Sequence, residues 1–104
     1  AAAVRAADAA RDARDWPSAA DRYRVALRDL PDDAGLWVQF GHALKESGDP
    51  QQAESAYRRA LDIAPANFDT HLQLGHVLKI LGQRSAAIAA YAEAARLDPQ
   101  GSAA

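Results

Sequence analysis

The sequence predicts an all-α protein made of about three tandem helix–turn–helix repeats. Three observations predict it: the chain matches itself when displaced by 34 residues, apolar residues within each unit fall at helical spacing, and Gly, Pro and Asp or Asn recur where helices must stop and restart. At that displacement Pro31, Pro65 and Pro99 superpose, as do Ala19, Ala53 and Ala87, Tyr23, Tyr57 and Tyr91, and Ala26, Ala60 and Ala94. Gly41 falls on Gly75 and Gly48 on Gly82, and the string from Phe40 to Lys45 nearly repeats that from Leu74 to Lys79. Residues 1–104 read as a single domain, with repeats at about 1–33, 34–67 and 68–101.

In the first repeat, helices are expected near Ala2 to Ala13 and Pro17 to Leu30, with Trp16 in the turn between them. The opening helix is degenerate: its stripe is Ala3, Ala6, Ala7 and Ala10, and Arg14 stands where the later repeats have Gly. The next helix spans Ala34 to Ser47, with Trp37, Phe40, Gly41 and Leu44 on one face. Gly48 suits the left-handed residue that ends a helix. Asp49 and Pro50 then supply an N-cap and a first helical residue. That second helix runs to about Ala64, with Ala53, Tyr57, Ala60, Leu61 and Ile63 as its inner stripe, and Pro65 stops it. Asn67 caps a helix over Phe68 to Leu81, Gly82 ends it, and a last helix covers about Arg84 to Leu97. Gly41 with Ala53, and Gly75 with Ala87, are expected where the two helices of a repeat cross closely. Each pair leaves one apolar flank, so neighbouring repeats must stack to bury it.

Nearly half of the residues are hydrophobic, but many are Ala and few are aromatic, which favours helix seams over a thick core. The net charge of −2 argues against general affinity for nucleic acid or an anionic membrane. Without Cys there is no disulfide framework, thiolate nucleophile or thiolate metal site, which fits a reducing, cytoplasmic setting. No apolar run approaches the roughly 20 residues of a membrane-spanning helix, and no secretory signal is visible. The chain contains no Met and reads as a piece of a longer protein, with the Ala, Arg and Asp richness of a GC-rich bacterial source.

These residues resemble the tetratricopeptide repeat family. The middle repeat carries the resemblance through Trp37, Phe40, Gly41, Leu44, Ala53, Tyr57, Ala60 and Pro65, and the third through His71, Leu74, Gly75, Leu78, Ala87, Tyr91, Ala94 and Pro99. The resemblance implies a right-handed superhelix whose concave face is lined by the first helix of each repeat. It implies an interaction scaffold rather than an enzyme, which binds a peptide or protein segment in that groove without a cofactor. The concave columns would then be Arg5, Gln39 and Gln73; Asp8, His42 and His76; and Arg11, Lys45 and Lys79. Val4, Val38 and Leu72 would form an apolar strip, with Gly35 and Asp69, and Asp12, Glu46 and Ile80, at the margins. The candidate ligand-binding residues are therefore Gln39, His42, Lys45, Asp69, Gln73, His76 and Lys79. Amides suit the backbone of an extended peptide, and the cations suit its carboxylates or phosphates. Nothing in the packing pattern requires His42 and His76 to be identical, so their repetition points to use.

One subclass of the family grips the C-terminal carboxylate of chaperones with Lys, Asn and Arg. The matching positions here are Val4, Asp8, Gln39, Asp69 and Gln73, which lack the cations, so that reading is rejected. The Gln-Phe-Gly-His and Gln-Leu-Gly-His segments look more like the repeats of O-linked N-acetylglucosamine transferases and those fused to bacterial glycosyltransferases, with Gln where those have Asn. That resemblance offers an alternative role, recruiting substrate for a larger glycosyltransferase.

Other chemistry finds little support. His71 and His76 lie on different sides of one helix and His42 on another repeat, which argues against a metal site. Ser18, Ser47, Ser55 and Ser85 have no His and acid partners at a suggestive spacing, and no Gly-rich loop could cradle phosphate. At the end of the chain, the five residues after Pro99 are too short for a capping helix, and Ile88, Ala92 and Ala95 form an apolar flank. Homo-oligomer formation through the repeat ends is therefore a further expectation.

Overall fold

The computed structural model describes residues 1–98, all of whose regular structure is helical. Six helices follow in order: α1 (Ala2–Asp12), α2 (Trp16–Asp29), α3 (Ala34–Glu46), α4 (Pro50–Ile63), α5 (Phe68–Ile80) and α6 (Arg84–Leu97). They pack as three antiparallel pairs, α1 with α2, α3 with α4 and α5 with α6, and the pairs stack through α2 on α3 and α4 on α5. This is the arrangement of helical repeats that wind into a superhelix. Pro99 and the five residues after it, on which the reading of the C-terminal tail rests, lie outside the described residues.

Local chemistry sets the boundaries. Asp15, Asp33, Asp49 and Asn67 stand at the N-caps of α2 to α5, and each accepts a hydrogen bond from the backbone N–H three residues on. Gln83 begins α6 without such a bond. The turn inside every repeat closes the same way, with Asp15 N–H bonding Ala10 O, Asp49 N–H bonding Leu44 O and Gln83 N–H bonding Leu78 O, each at 2.9 Å. The residue before that donor is left-handed: Gly48 at φ 90°, Gly82 at φ 77° and Arg14 at φ 59°. Arg14 therefore takes the glycine conformation at the usual cost of a side chain in that region. Trp16, expected in the turn, is instead the first residue of α2 and packs partly buried against the core.

The crossing inside a repeat also differs in detail from the expected Gly-on-Ala contact. Ala53 and Ala87 are buried, at 0% and 3% exposure. The atoms standing over Gly41, however, belong to the ring of Tyr57, and those over Gly75 to the ring of Tyr91. A Cβ on Gly41 or Gly75 would come within 2.7 Å of that ring. Each glycine is thus a flat seat for the Tyr of the following helix, and the buried Ala lets the helices approach closely enough for the ring to reach it. Tyr23, Tyr57, Leu78 and Val77 are among the largest fully buried side chains.

Candidate functional site

The face shared by α1, α3 and α5 carries the candidate residues. Phe40, Ala43 and Leu44 turn inward on α3, and Leu74, Val77 and Leu78 on α5. That pattern leaves Gln39, His42 and Lys45, and Gln73, His76 and Lys79, on the opposite stripe, three residues apart.

The columns expected to stand side by side are cross-linked between repeats. Arg11 Nη1 donates to Gln39 Oε1 at 3.4 Å, and Lys45 Nζ donates to Gln73 Oε1 at 3.2 Å. Each pair joins the C-terminal end of one inner helix to the middle of the next, so the cation of one repeat holds the amide of its successor. The Gln carbonyls are engaged, and no hydrogen bond among the described residues takes up the amide N–H donors of Gln39 and Gln73. Spacing could have signalled these bonds, because a donor and an acceptor recur 28 residues apart in both pairs.

The imidazole column has a structural partner, which corrects the expectation that packing leaves its identity free. His42 Nδ1 lies 2.5 Å from the Tyr57 hydroxyl. His76 meets Tyr91 edge-on with ring centroids 5.5 Å apart, as His42 meets Tyr57. In the first repeat the Tyr23 hydroxyl donates to Asp8 Oδ1 at 2.6 Å. A carboxylate can only accept, and a neutral His42 ring with its proton on Nε2 can take the same acceptor role toward the Tyr57 hydroxyl. Burial pushes the Tyr57 hydroxyl well above its ordinary pKa, helped by Asp69 and Glu46. Burial also holds His42 below the ordinary imidazole value, with Lys45 adding to the shift and Asp69 and Glu46 opposing it. His76 is lowered for the same first cause, followed by Lys45 and Lys79, with Asp69 opposing.

These couplings link His42, Lys45, Asp69, Gln73, His76 and Lys79, while Gln39 is tied to Arg11. Asp69 acts on both His42 and His76, and Lys45 acts on both His residues while holding Gln73. The surface is polarised: Asp69 stands at the start of α5, and Lys45 and Lys79 stand at the ends of α3 and α5. The third histidine is separate from this surface. His71 Nε2 donates to Pro65 O at 2.8 Å, as Trp37 Nε1 donates to Pro31 O at 2.8 Å. The two side chains clamp corresponding inter-repeat turns. Among the described residues no three His, Cys, Asp or Glu side chains gather in a way that could hold a metal ion, and no helix is long and apolar enough to cross a membrane.

Two tetratricopeptide repeat profiles match the chain, over residues 4–68 and 44–104. No curated protein sequence matches it. Among solved structures, the Arabidopsis OM64 TPR domain is 26% identical, with a TM-score of 0.86 over 92% of this chain and 79% of that one. The TPR2B domain of yeast Sti1, solved as a complex with pHsp70, is 17% identical, with a TM-score of 0.88 over 94% of this chain and 78% of that one. The MamA RS-1 ArsTM double mutant is 17% identical, with a TM-score of 0.90 over 95% of this chain, which spans only 56% of the MamA chain.

Proposed function

The chain belongs to the tetratricopeptide repeat family, and from that premise we propose that it is a non-catalytic interaction scaffold that holds an extended peptide or protein segment in the concave groove of α1, α3 and α5. Tetratricopeptide domains are in general protein-interaction scaffolds, and a domain of the same fold is solved in complex with pHsp70. What supports the reading is that Lys45 of one repeat hydrogen-bonds Gln73 of the next, as Arg11 does Gln39, so that polar side chains of successive inner helices adjoin on one face. Each residue has a role there. The amide N–H groups of Gln39 and Gln73 donate to peptide carbonyls, and His42 and His76 add ring nitrogens between them. Lys45 and Lys79 attract acidic side chains at one margin, and Asp69 disfavours them at the other. The ligand this chemistry fits is an extended segment, acidic where it passes α3 and α5 at their C-terminal ends.

The same residues speak against transferring the ligand of the chaperone-binding relatives, because Val4, Asp69 and Gln73 stand where the cations are required. A role beside a glycosyltransferase catalytic domain rests only on the Gln-Phe-Gly-His and Gln-Leu-Gly-His segments. None of the relatives named above is described as a glycosyltransferase, and the Gln side chains are tied to cations rather than free as a ladder.

Replacing Lys45 and Lys79 together by Ala tests the reading. An acidic peptide selected for binding should then bind roughly tenfold or more weakly, and its salt dependence should flatten. Unchanged affinity and salt slope, with the helical spectrum intact, contradicts it.

A further inference from the structure

The two rings of the imidazole column are held differently. His42 is partly buried, and its Nδ1 lies 2.5 Å from the hydroxyl of the fully buried Tyr57. A proton added at Nδ1 would force that hydroxyl to accept rather than donate, inside a packed repeat. His76 is exposed and meets the partly exposed Tyr91 ring edge-on, and it makes no hydrogen bond among the described residues. Its surroundings are cationic. Lys45 crosses from α3 to bond Gln73, one turn before His76 on the same stripe, and Lys79 stands one turn after it. Desolvation holds His76 below the ordinary imidazole value, Lys45 and Lys79 add to that, and Asp69 opposes them. From α6 the ring meets Tyr91, and among the described residues no charged group of α4 or α6 acts on it.

An acid entering the groove reverses this balance. A carboxylate within reach of Lys45 and Lys79 offsets the two charges that oppose a proton on the ring, and it gives the imidazolium a partner. A ligand that favours the charged ring must bind more tightly where the ring is charged, so binding takes up a proton and strengthens as pH falls. The gain begins as pH drops through the ring's value in the complex and is complete below its value in the free protein. Lys45 and Lys79 keep their charge throughout this range and give no such response.

We propose that His76 reads acidic side chains in the groove by taking up a proton when an internal Asp or Glu of the bound segment seats against Lys45 and Lys79, while His42 stays with Tyr57 as a structural ring. The proposal rests on the concave-groove reading and adds a regulation by pH to it.

The probe is an acidic peptide selected for binding at about pH 7.5, with an amidated C-terminus so that only side-chain carboxylates are offered; these stay ionised above about pH 6. Ring-proton titrations of the intact chain should show the pKa of His76 rising when the peptide is added, with His42 and His71 nearly still. Without peptide, Lys45→Ala should raise His76, which checks that the two share one site. Affinity should increase roughly threefold or more from about pH 7.5 to about pH 6, and calorimetry in buffers of different ionisation heat should record the proton uptake. His76→Gln, at an exposed site, should remove the pH response and the uptake, and His42→Asn should keep both. The same peptide with Asn and Gln for its acids should lose both. A peptide that moves the Gln39 and Gln73 amides yet binds equally at the two pH values would overturn the proposal and leave the groove reading standing. So would one that raises His42 instead of His76. Shifts confined to α2, α4 and α6 would remove proposal and reading together.

Discussion

Between glycine and tyrosine, the fold depends on a single missing methyl group. Gly41 lies mid-helix, where Ala is better by about 1 kcal/mol on propensity alone. Its Cβ, however, would meet the Tyr57 ring at 2.7 Å, and that ring is fully buried and held at its hydroxyl by His42. Overpacking should win, so Gly41→Ala should cost about 1–3 kcal/mol in thermal or denaturant unfolding. Gly75→Ala should cost less, because Tyr91 is partly exposed and can swing away. Equal costs would show that the ring is not what reads the glycine. His42 makes a second prediction at this scale. Its folded pKa lies below the ordinary 6.5, so the folded state favours the neutral ring, which accepts from Tyr57. The stabilisation is full above the unfolded value and lost as pH falls through the folded one. Between about pH 7.5 and about pH 5 the melting temperature should fall, and His42→Asn, which keeps an acceptor without the titration, should flatten part of the fall. The repeated Gly and Tyr were legible in the sequence because they recur at fixed spacing. Their contact was not, since spacing along the chain does not say which small residue a ring lies over. The pairing of His42 with Tyr57 escaped for a related reason: Asp8 fills the same column in the first repeat, so the shared property is acceptance of a hydrogen bond rather than residue type.

At the level of helices, the boundaries were nearly all legible because stop and start chemistry is local. Pro50 at the first turn, the Asp and Asn caps and Gly at the left-handed positions each act within a few residues of their own backbone. The exceptions are where the residue departs from the rule and the repeat imposes its conformation anyway. Arg14 is left-handed like Gly48 and Gly82, and Trp16 enters α2 because Asp15 caps it as Asp49 caps α4. Gln83 is the remaining exception: its backbone, at φ −89° and ψ 72°, nearly matches that of Asp15 at φ −86° and ψ 78°, yet no side chain caps α6. Gln83→Asp should therefore supply the missing bond and stabilise the protein by about 0.5–1 kcal/mol. A chemical denaturation midpoint that does not rise would mean that α6 already satisfies its first turn in another way.

For the whole molecule, stacking turns three similar pairs into one surface that no pair holds alone. The sequence let the columns be expected, because a 34-residue repeat in a regular stack places like residues on successive units. It did not show that Arg11 and Lys45 donate to Gln39 and Gln73, because those bonds join successive repeats and depend on the angle between them. The consequence is a face on which Arg11 and Lys45 keep their charge while holding the carbonyls of Gln39 and Gln73. The central claim is that this groove receives an extended acidic segment. The most direct measurement is an amide and side-chain chemical-shift map of the chain with a peptide selected from a random display library. The account predicts shifts at the side-chain amides of Gln39 and Gln73, the rings of His42 and His76 and the residues around Lys45, all weakened by Lys45→Ala. Shifts confined to α2, α4 and α6, with the Gln39 and Gln73 amides unmoved, would contradict it.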